Sequence, residues 1–151
     1  TDDRMVVSMR VKGAFTPEMI DAIHEGVETK FTFLIRLYRN RRMWLDEKLV
    51  SINLTHSLVY DPARAVYVVY RSWAREPSIE TQSWAEAQTL MSQISRSELL
   101  LPSRMQKGEG YELRAKAELS RVSLPYYLRY VLYFVSLWDF ETEWHAVFFI
   151  Y

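Results

Sequence analysis

Residues 111–119 read YELRAKAEL, and this stretch decides the fold class. Its apolar side chains are Tyr111, Leu113, Ala115, Ala117 and Leu119, and the charged residues Glu112, Arg114, Lys116 and Glu118 alternate with them. A period of two predicts a β-strand with one face on the core and the other in water. The alternating charge signs suit a solvated sheet face.

The same period of two recurs on both sides of this stretch. Further strands are predicted over residues 4–12, 31–37, 50–58, 65–73 and 140–151. Short polar turns separate the three middle strands, and one of them, Tyr60–Arg64, contains Asp and Pro. Strands joined by such turns predict an antiparallel meander.

Three helices are predicted between the strands. The pair Thr16–Pro17 is typical of a helix start, and Gly26 stands where that helix should end. A capping-box pattern at Ser83–Glu86 begins the second helix, whose apolar stripe continues to Ile94. The third helix is predicted over Ser123–Trp138.

These elements predict a single α+β domain over residues 1–151. We expect a mainly antiparallel sheet of about six strands with about three packed helices. A chain of this length buries roughly 70% of its unfolded surface, so it needs neither a metal nor a disulfide for stability.

Charge and composition argue against several functions. The chain has 19 Lys and Arg residues against 19 Asp and Glu residues, and a nucleic-acid-binding protein usually has a basic excess. It has no Cys, which excludes disulfides, thiol nucleophiles and zinc–thiolate sites. Neither a glycine-rich nucleotide loop nor a serine nucleophile elbow is present. We therefore expect no cofactor, no nucleic-acid partner and no enzymatic activity.

Residues 138–145, WDFETEWH, place acidic residues and a histidine at every second position. In a strand, Glu141, Glu143 and His145 would point to one face and form a candidate metal site for a hydrolase. A metal site normally draws its ligands from several elements, however. A charged alternate face is also the usual solvated side of an antiparallel sheet, and this interpretation is favoured.

A second candidate is the basic run around Arg42 that is followed by Trp44. Arginine beside an aromatic residue can bind an anionic ligand or a lipid headgroup. Acidic residues follow at once, and charges near a strand end also protect an exposed edge. The solvated-edge interpretation is favoured, and anionic binding is the alternative.

The third predicted helix is apolar or aromatic around most of its circumference. A helix of this kind needs cover on several sides, which a partner protein, a second copy or a membrane surface can supply. Packing in the domain's own core, with tyrosine hydroxyls reaching water, is the simpler alternative. Tyr127, Tyr130 and Trp138 are the candidate anchor residues for a partner.

Three stretches resemble a bacterial family of exported proteins that is catalogued only as a domain of unknown function. They are EGVETKFTFLIRLYRNRRMW at 25–44, LVYDPARAVYVVYR at 58–71 and SLPYYLRYVLYFVSLWDFETEW at 123–144. The family pattern is matched by Gly26-Val27, Arg42, Trp44, Tyr60, Leu124-Pro125 and Trp138. Glu143 stands where the pattern often has Ser. The resemblance covers nearly the whole chain.

This resemblance implies a location in the cell envelope, on the periplasmic side, with an N-terminal segment that is cleaved or serves as an anchor. A first residue of Thr rather than Met fits that expectation. The resemblance implies no activity, cofactor or catalytic residue. We therefore expect a non-enzymatic envelope domain that binds a protein partner or itself through an aromatic-rich surface. The alternatives are a carrier or sensor of a lipid or other small apolar ligand, and a metal-dependent hydrolase.

Overall fold

The computed structural model describes residues 4–41, 43–100, 105–120 and 142–151. The strands in these residues are β1 (Arg4–Arg10), β2 (Thr29–Arg39), β3 (Glu47–Asp61), β4 (Val66–Arg71), β5 (Ser78–Thr81), β6 (Gln93–Leu100), β7 (Gly110–Ser120) and β8 (His145–Ile150). The helices are α1 (Pro17–His24) and α2 (Trp84–Ser92).

Six strands form one antiparallel sheet in the order β5-β4-β3-β2-β7-β8. The other two, β1 and β6, form a separate antiparallel pair. The predicted α+β fold with a mainly antiparallel, six-stranded sheet is therefore confirmed, but the sheet has a different membership. It includes β5, which was not predicted, and β1 pairs outside it. The described residues contain two helices, and the third predicted helix lies outside them.

The strand β2 is the centre of the sheet because its apolar residues meet apolar residues on both neighbours. Phe33 lies opposite Leu54 of β3 and Ala117 of β7, and all three are buried. The helices and the β1–β6 pair cover this inner face of the sheet and complete one core. The residues that these helices and strands add to the core are Val7, Met19, Ile23, Met91 and Ile94.

Helix α1 begins and ends where its sequence predicts. The hydroxyl of Thr16 accepts a hydrogen bond from the Met19 N–H at 3.3 Å, and Pro17 is the first helical residue. After the last turn Gly26 adopts φ = 90°, a conformation that glycine takes without a steric penalty. No helix in the described ranges is long and apolar enough to cross a membrane.

Helix α2 begins at the predicted N-cap, Ser83, but ends earlier than predicted. Ser83 accepts from the Glu86 N–H as expected, but the Glu86 carboxylate accepts from the Thr81 hydroxyl instead of the Ser83 N–H. The helix ends at Ser92, and Ile94 lies in β6, opposite Met9 of β1. The prediction of a helix continuing to Ile94 was therefore wrong.

Candidate functional site

The strand β8 ends the sheet, and its far edge pairs with no strand in the part of the chain that the structure describes. At its end, the Tyr151 N–H donates to the Glu109 carbonyl at 3.2 Å. In an antiparallel pair, both backbone groups of one residue point to the same side, and successive residues alternate. The backbone groups of Ala146, Phe148 and Ile150 therefore point to the open edge.

The side chains of β8 are apolar on both faces of the sheet, and most are exposed. Phe148 and Ile150 lie on the outer face, and Val147 lies on the inner face. All three are more than half exposed. Trp144, just before the strand, is partly covered by the Lys116 ammonium, 5.2 Å from its ring centroid. We call Trp144, Val147, Phe148 and Ile150 the apolar edge.

The opposite edge of the sheet is protected. There β5 has only four residues and follows Pro77, and its Glu80 accepts three hydrogen bonds from the Arg64 guanidinium. Arg64 also binds Asp61 at 2.8 Å, and this lowers the pKa of the Asp61 carboxyl. Short length, proline and charge are the devices by which proteins prevent unwanted strand pairing. None of them is found in the sequence of β8, HAVFFI.

The outer sheet face beside the apolar edge is polar but internally paired. The Arg114 guanidinium binds the Glu112 carboxylate at 2.7 and 2.9 Å and Asp46 at 3.2 Å. It also stacks 4.3 Å from the centroid of the Tyr38 ring. The guanidinium holds the pKa of the nearly buried Glu112 below its ordinary value. These charges stabilise one another, whereas Phe148 and Ile150 on the same face are exposed apolar residues.

One end of the sheet carries a basic and apolar loop between β2 and β3. Three consecutive side chains are almost fully exposed there: Met43 at 89%, Trp44 at 81% and Leu45 at 93%. We call Met43–Leu45 the hairpin tip. A pocket of about 680 Å³ lies at its base, lined by Arg39, Asn40, Arg41, Trp44, Gly108, Glu109, Gly110 and Ile150. Ile150 thus links the hairpin tip to the apolar edge.

A second cavity of about 490 Å³ opens on the inner face, between β1 and the β7–β8 pair. Its side chains include Val7, Val11, Leu113, Val147 and His145. The basic residues Arg10, Lys12 and Lys116 also line it, and none of its described lining residues is Asp or Glu. We call this cavity the inner cleft, and its apolar side chains suit a small apolar ligand.

The structure places only some of the residues predicted from sequence. Trp44 lines the pocket at the hairpin tip, whereas Arg42, Tyr127, Tyr130, Trp138 and Glu141 lie outside the described residues.

Glu143 and His145 do not share the predicted charged strand face. The strand β8 begins only at His145, which lies on the inner face with Val147 and Phe149, so that prediction was wrong. Across the described ranges, no three His, Asp or Glu side chains form a group that could hold a metal ion.

The histidine His56 of β3 is completely buried in the core. Its Nε2 accepts from the Trp73 indole N–H at 2.7 Å, so Nδ1 carries the proton and donates to the Met91 carbonyl at 2.9 Å. Burial lowers its pKa to about 4. Its role is structural, because both ring nitrogens are engaged inside the core.

Sequence reasoning missed the apolar edge and two of the three tip residues. A signal existed for both. The run HAVFFI has neither a charge nor a proline after its histidine, and the run MWL lies in a predicted turn between two long strands. In both regions charged residues are neighbours of these apolar side chains, and the charged residues give the stronger sequence pattern.

Comparison with known proteins identifies a family for this chain. No curated protein and no solved structure matches the chain. The family model described as "Domain of unknown function (DUF4390)" matches residues 1–147. A match over almost the full length, together with the resemblance of the three sequence stretches, shows that the chain belongs to the DUF4390 family.

Proposed function

We propose that this domain is a non-enzymatic binding module of the cell envelope that receives an extended strand of a partner protein along β8. The observation that carries the proposal is the contrast between the two sheet edges. The β5 edge is short and charged, whereas the β8 edge is apolar and pairs with no strand among the described residues. An unprotected edge of this kind promotes strand pairing with another chain.

The geometry of β8 suits strand addition. Three residues, Ala146, Phe148 and Ile150, direct backbone donors and acceptors outward, and a partner strand would satisfy them. The partner strand should carry apolar side chains on both faces, since Phe148 and Val147 lie on opposite faces of the sheet. A lipid or a small molecule cannot supply a continuous row of backbone groups.

Two further considerations support the proposal. The cell-envelope location rests on the family resemblance of the sequence. The proposal assigns no chemical step to His56 or Glu112, because both are held in hydrogen bonds that stabilise the fold. Tyr127, Tyr130 and Trp138 remain predicted contacts on the same partner, and the variant Tyr130→Asp tests them.

The test compares two lysine variants on the same outer sheet face. Phe148→Lys changes the apolar edge, and Tyr70→Lys changes an exposed aromatic residue on β4, near the opposite edge. Wild type and both variants serve as baits for envelope extracts, and the retained proteins are identified by mass spectrometry. We expect a partner that wild type and Tyr70→Lys retain and Phe148→Lys loses.

Amide hydrogen exchange then tests the mode of binding. In the free domain, the amides of Ala146, Phe148 and Ile150 should exchange rapidly, and those of Val147 and Phe149 should be protected. The partner should slow exchange at the first three positions. Slow exchange of Ala146, Phe148 and Ile150 in the free domain would contradict an open β8 edge. A partner that Phe148→Lys retains as well as wild type does would show that the partner does not bind at this edge.

A carrier of a small apolar ligand is the second candidate function, favoured by the inner cleft. Its volume of about 490 Å³ falls within the range of about 300–1,000 Å³ of ligand sites. The variant Ala115→Trp should fill the cleft, and Val59→Trp on the outer part of β3 is the matched control. Titration with a fluorescent fatty acid should show binding to wild type and the control and loss in Ala115→Trp. Absence of binding to wild type would reject this candidate.

A further inference from the structure

The hairpin tip presents an apolar surface that the proposed strand addition does not use. Its three consecutive large apolar side chains project from the turn between two long strands of the sheet, the 11-residue β2 and the 15-residue β3. A soluble surface rarely gathers such residues without a use for them. The turn is closed by a hydrogen bond from the Trp44 N–H to the Arg41 carbonyl at 3.4 Å, so its backbone is not a free strand edge.

Positive charge surrounds the base of this tip. Arg39 and Arg41 both form ion pairs with Glu47, and Asp46 pairs with Arg114. Each of these carboxylates thus has an arginine beside it.

Exposed lysines add to this charge. Lys48 follows the loop, and Lys107 lies in the neighbouring loop that also forms the pocket wall. Two further carboxylates lie here: Glu109, whose charge raises the pKa of Arg39, and Glu112, which binds Arg114. The described charges around the hairpin tip are therefore five basic side chains, Arg39, Arg41, Lys48, Lys107 and Arg114, against four acidic ones, Asp46, Glu47, Glu109 and Glu112. This positive excess, carried by the two exposed lysines, suits an anionic partner.

An apolar tip with a basic rim has the chemistry of a membrane-surface anchor. Tryptophan favours the boundary between headgroups and acyl chains, and basic residues favour anionic lipid headgroups. The apolar edge lacks this chemistry, because its outward backbone groups would stay unsatisfied in hydrocarbon. Ile150 extends the apolar surface of the tip on the side of the pocket.

We propose that the hairpin tip Met43–Leu45 inserts into the interfacial region of an anionic lipid bilayer, with the surrounding arginines and lysines on the headgroups. Insertion to a depth of about 5–10 Å would bury the three side chains and leave the sheet in water. The domain would then lie with one end on the membrane. This orientation leaves the apolar edge open to a partner protein.

Sedimentation with lipid vesicles tests the proposal on the full chain. The vesicles contain either phosphatidylcholine alone or phosphatidylcholine with phosphatidylglycerol. Wild type should bind the anionic vesicles and release them as salt rises from about 0.1 M to about 1 M, where the Debye length falls from ~10 to ~3 Å. Its tryptophan emission should shift to the blue on binding.

Two sets of variants separate the roles of the tip and the rim. The triple variant Met43→Ser/Trp44→Ser/Leu45→Ser should weaken vesicle binding at least about tenfold, which corresponds to ~1.4 kcal/mol, without changing the melting temperature. The double variant Tyr70→Ser/Val59→Ser removes two exposed apolar residues elsewhere and should bind like wild type. The variant Lys48→Glu/Lys107→Glu should lose most of the preference for anionic vesicles.

Three outcomes would overturn the proposal. The first is wild type that stays in the supernatant with anionic vesicles at low salt. The second is a triple serine variant that binds as tightly as wild type. The third is a triple serine variant whose sedimentation coefficient differs from that of wild type in the absence of vesicles, since this would place the tip in a protein interface instead.

Discussion

At the scale of single residues, His56 shows how one side chain joins three elements of the core. Its ring lies on β3 and binds the Trp73 indole on one side and the end of α2, at Met91, on the other. The Phe33 ring lies 4.7 Å from it, centroid to centroid. A charged imidazolium would need a second donor proton on Nε2, which faces the Trp73 N–H. Only the neutral ring satisfies this site.

This geometry predicts a pH-dependent loss of stability. The pKa of His56 is about 4 in the folded state, against an ordinary value of 6.5 that the unfolded chain regains. Between these values the unfolded chain binds the proton first, so the free energy of unfolding falls as the pH falls. We expect a loss of about 3 kcal/mol between pH 6.5 and pH 4, and full stability above pH 6.5. Urea unfolding at several pH values between 4 and 7 measures this change in the free energy of unfolding.

The control for this prediction is His56→Leu, which cannot titrate. Its loss of two buried hydrogen bonds should lower the free energy of unfolding at pH 7 by about 2–4 kcal/mol. The difference from wild type should then shrink as the pH falls to 4. Two stability curves that run parallel between pH 7 and pH 4 would show that His56 does not carry the effect.

At the scale of elements, the sequence predicts strands well where one face is buried. The runs in β2, β3 and β7 alternate because each has the core on one face and polar residues on the other. A slip by one residue would expose every apolar side chain in such a run. Burial of one face therefore constrains the alternation of apolar and polar residues, and this alternation is sufficient to predict these strands from the sequence.

The missed elements have tertiary causes. Three of the four residues of β5 are polar, and the segment forms a strand because it pairs with β4. Ile94 continues the apolar stripe of α2, yet pairing with Met9 of β1 draws it into β6. The apolar edge depends on which strand ends the sheet, and a single strand pattern does not contain that information. Trp44 was predicted as a candidate because its neighbours in the chain are charged.

The N-cap of α1 allows a test at the element scale. Thr16→Ala removes the side-chain acceptor for the Met19 N–H and should lower the free energy of unfolding by about 1 kcal/mol. Thr16→Ser keeps the hydroxyl acceptor, so its free energy of unfolding should stay close to that of wild type. Thr89→Ala, in the middle of α2, is the matched control and should be neutral or slightly stabilising, since alanine favours helix interiors. Chemical denaturation would contradict the assignment if Thr16→Ala behaved like Thr89→Ala.

At the scale of the whole molecule, the two sheet edges and the net charge act together. The chain has no net charge at pH 7, so electrostatic repulsion between copies is weak. Among the described strands, the β8 edge is then the favourable place for copies to pair, since its outward backbone groups meet no other described strand and its side chains are apolar. The β5 edge cannot act in the same way because Pro77 and the charges of Arg64 and Glu80 protect it.

This asymmetry predicts how the purified domain aggregates. On mild heating, aggregation should be fastest near pH 7 and should slow several-fold at pH 9, where the net negative charge keeps copies apart. Phe148→Lys should slow aggregation at pH 7 several-fold, because it places a charge on the open edge. Tyr70→Lys adds the same charge to the same sheet face and should have a much smaller effect, because its strand already pairs on both sides. Light scattering measures all four conditions. Equal slowing by the two lysine variants would show that net charge alone governs association, and the β8 edge would then lose its special role.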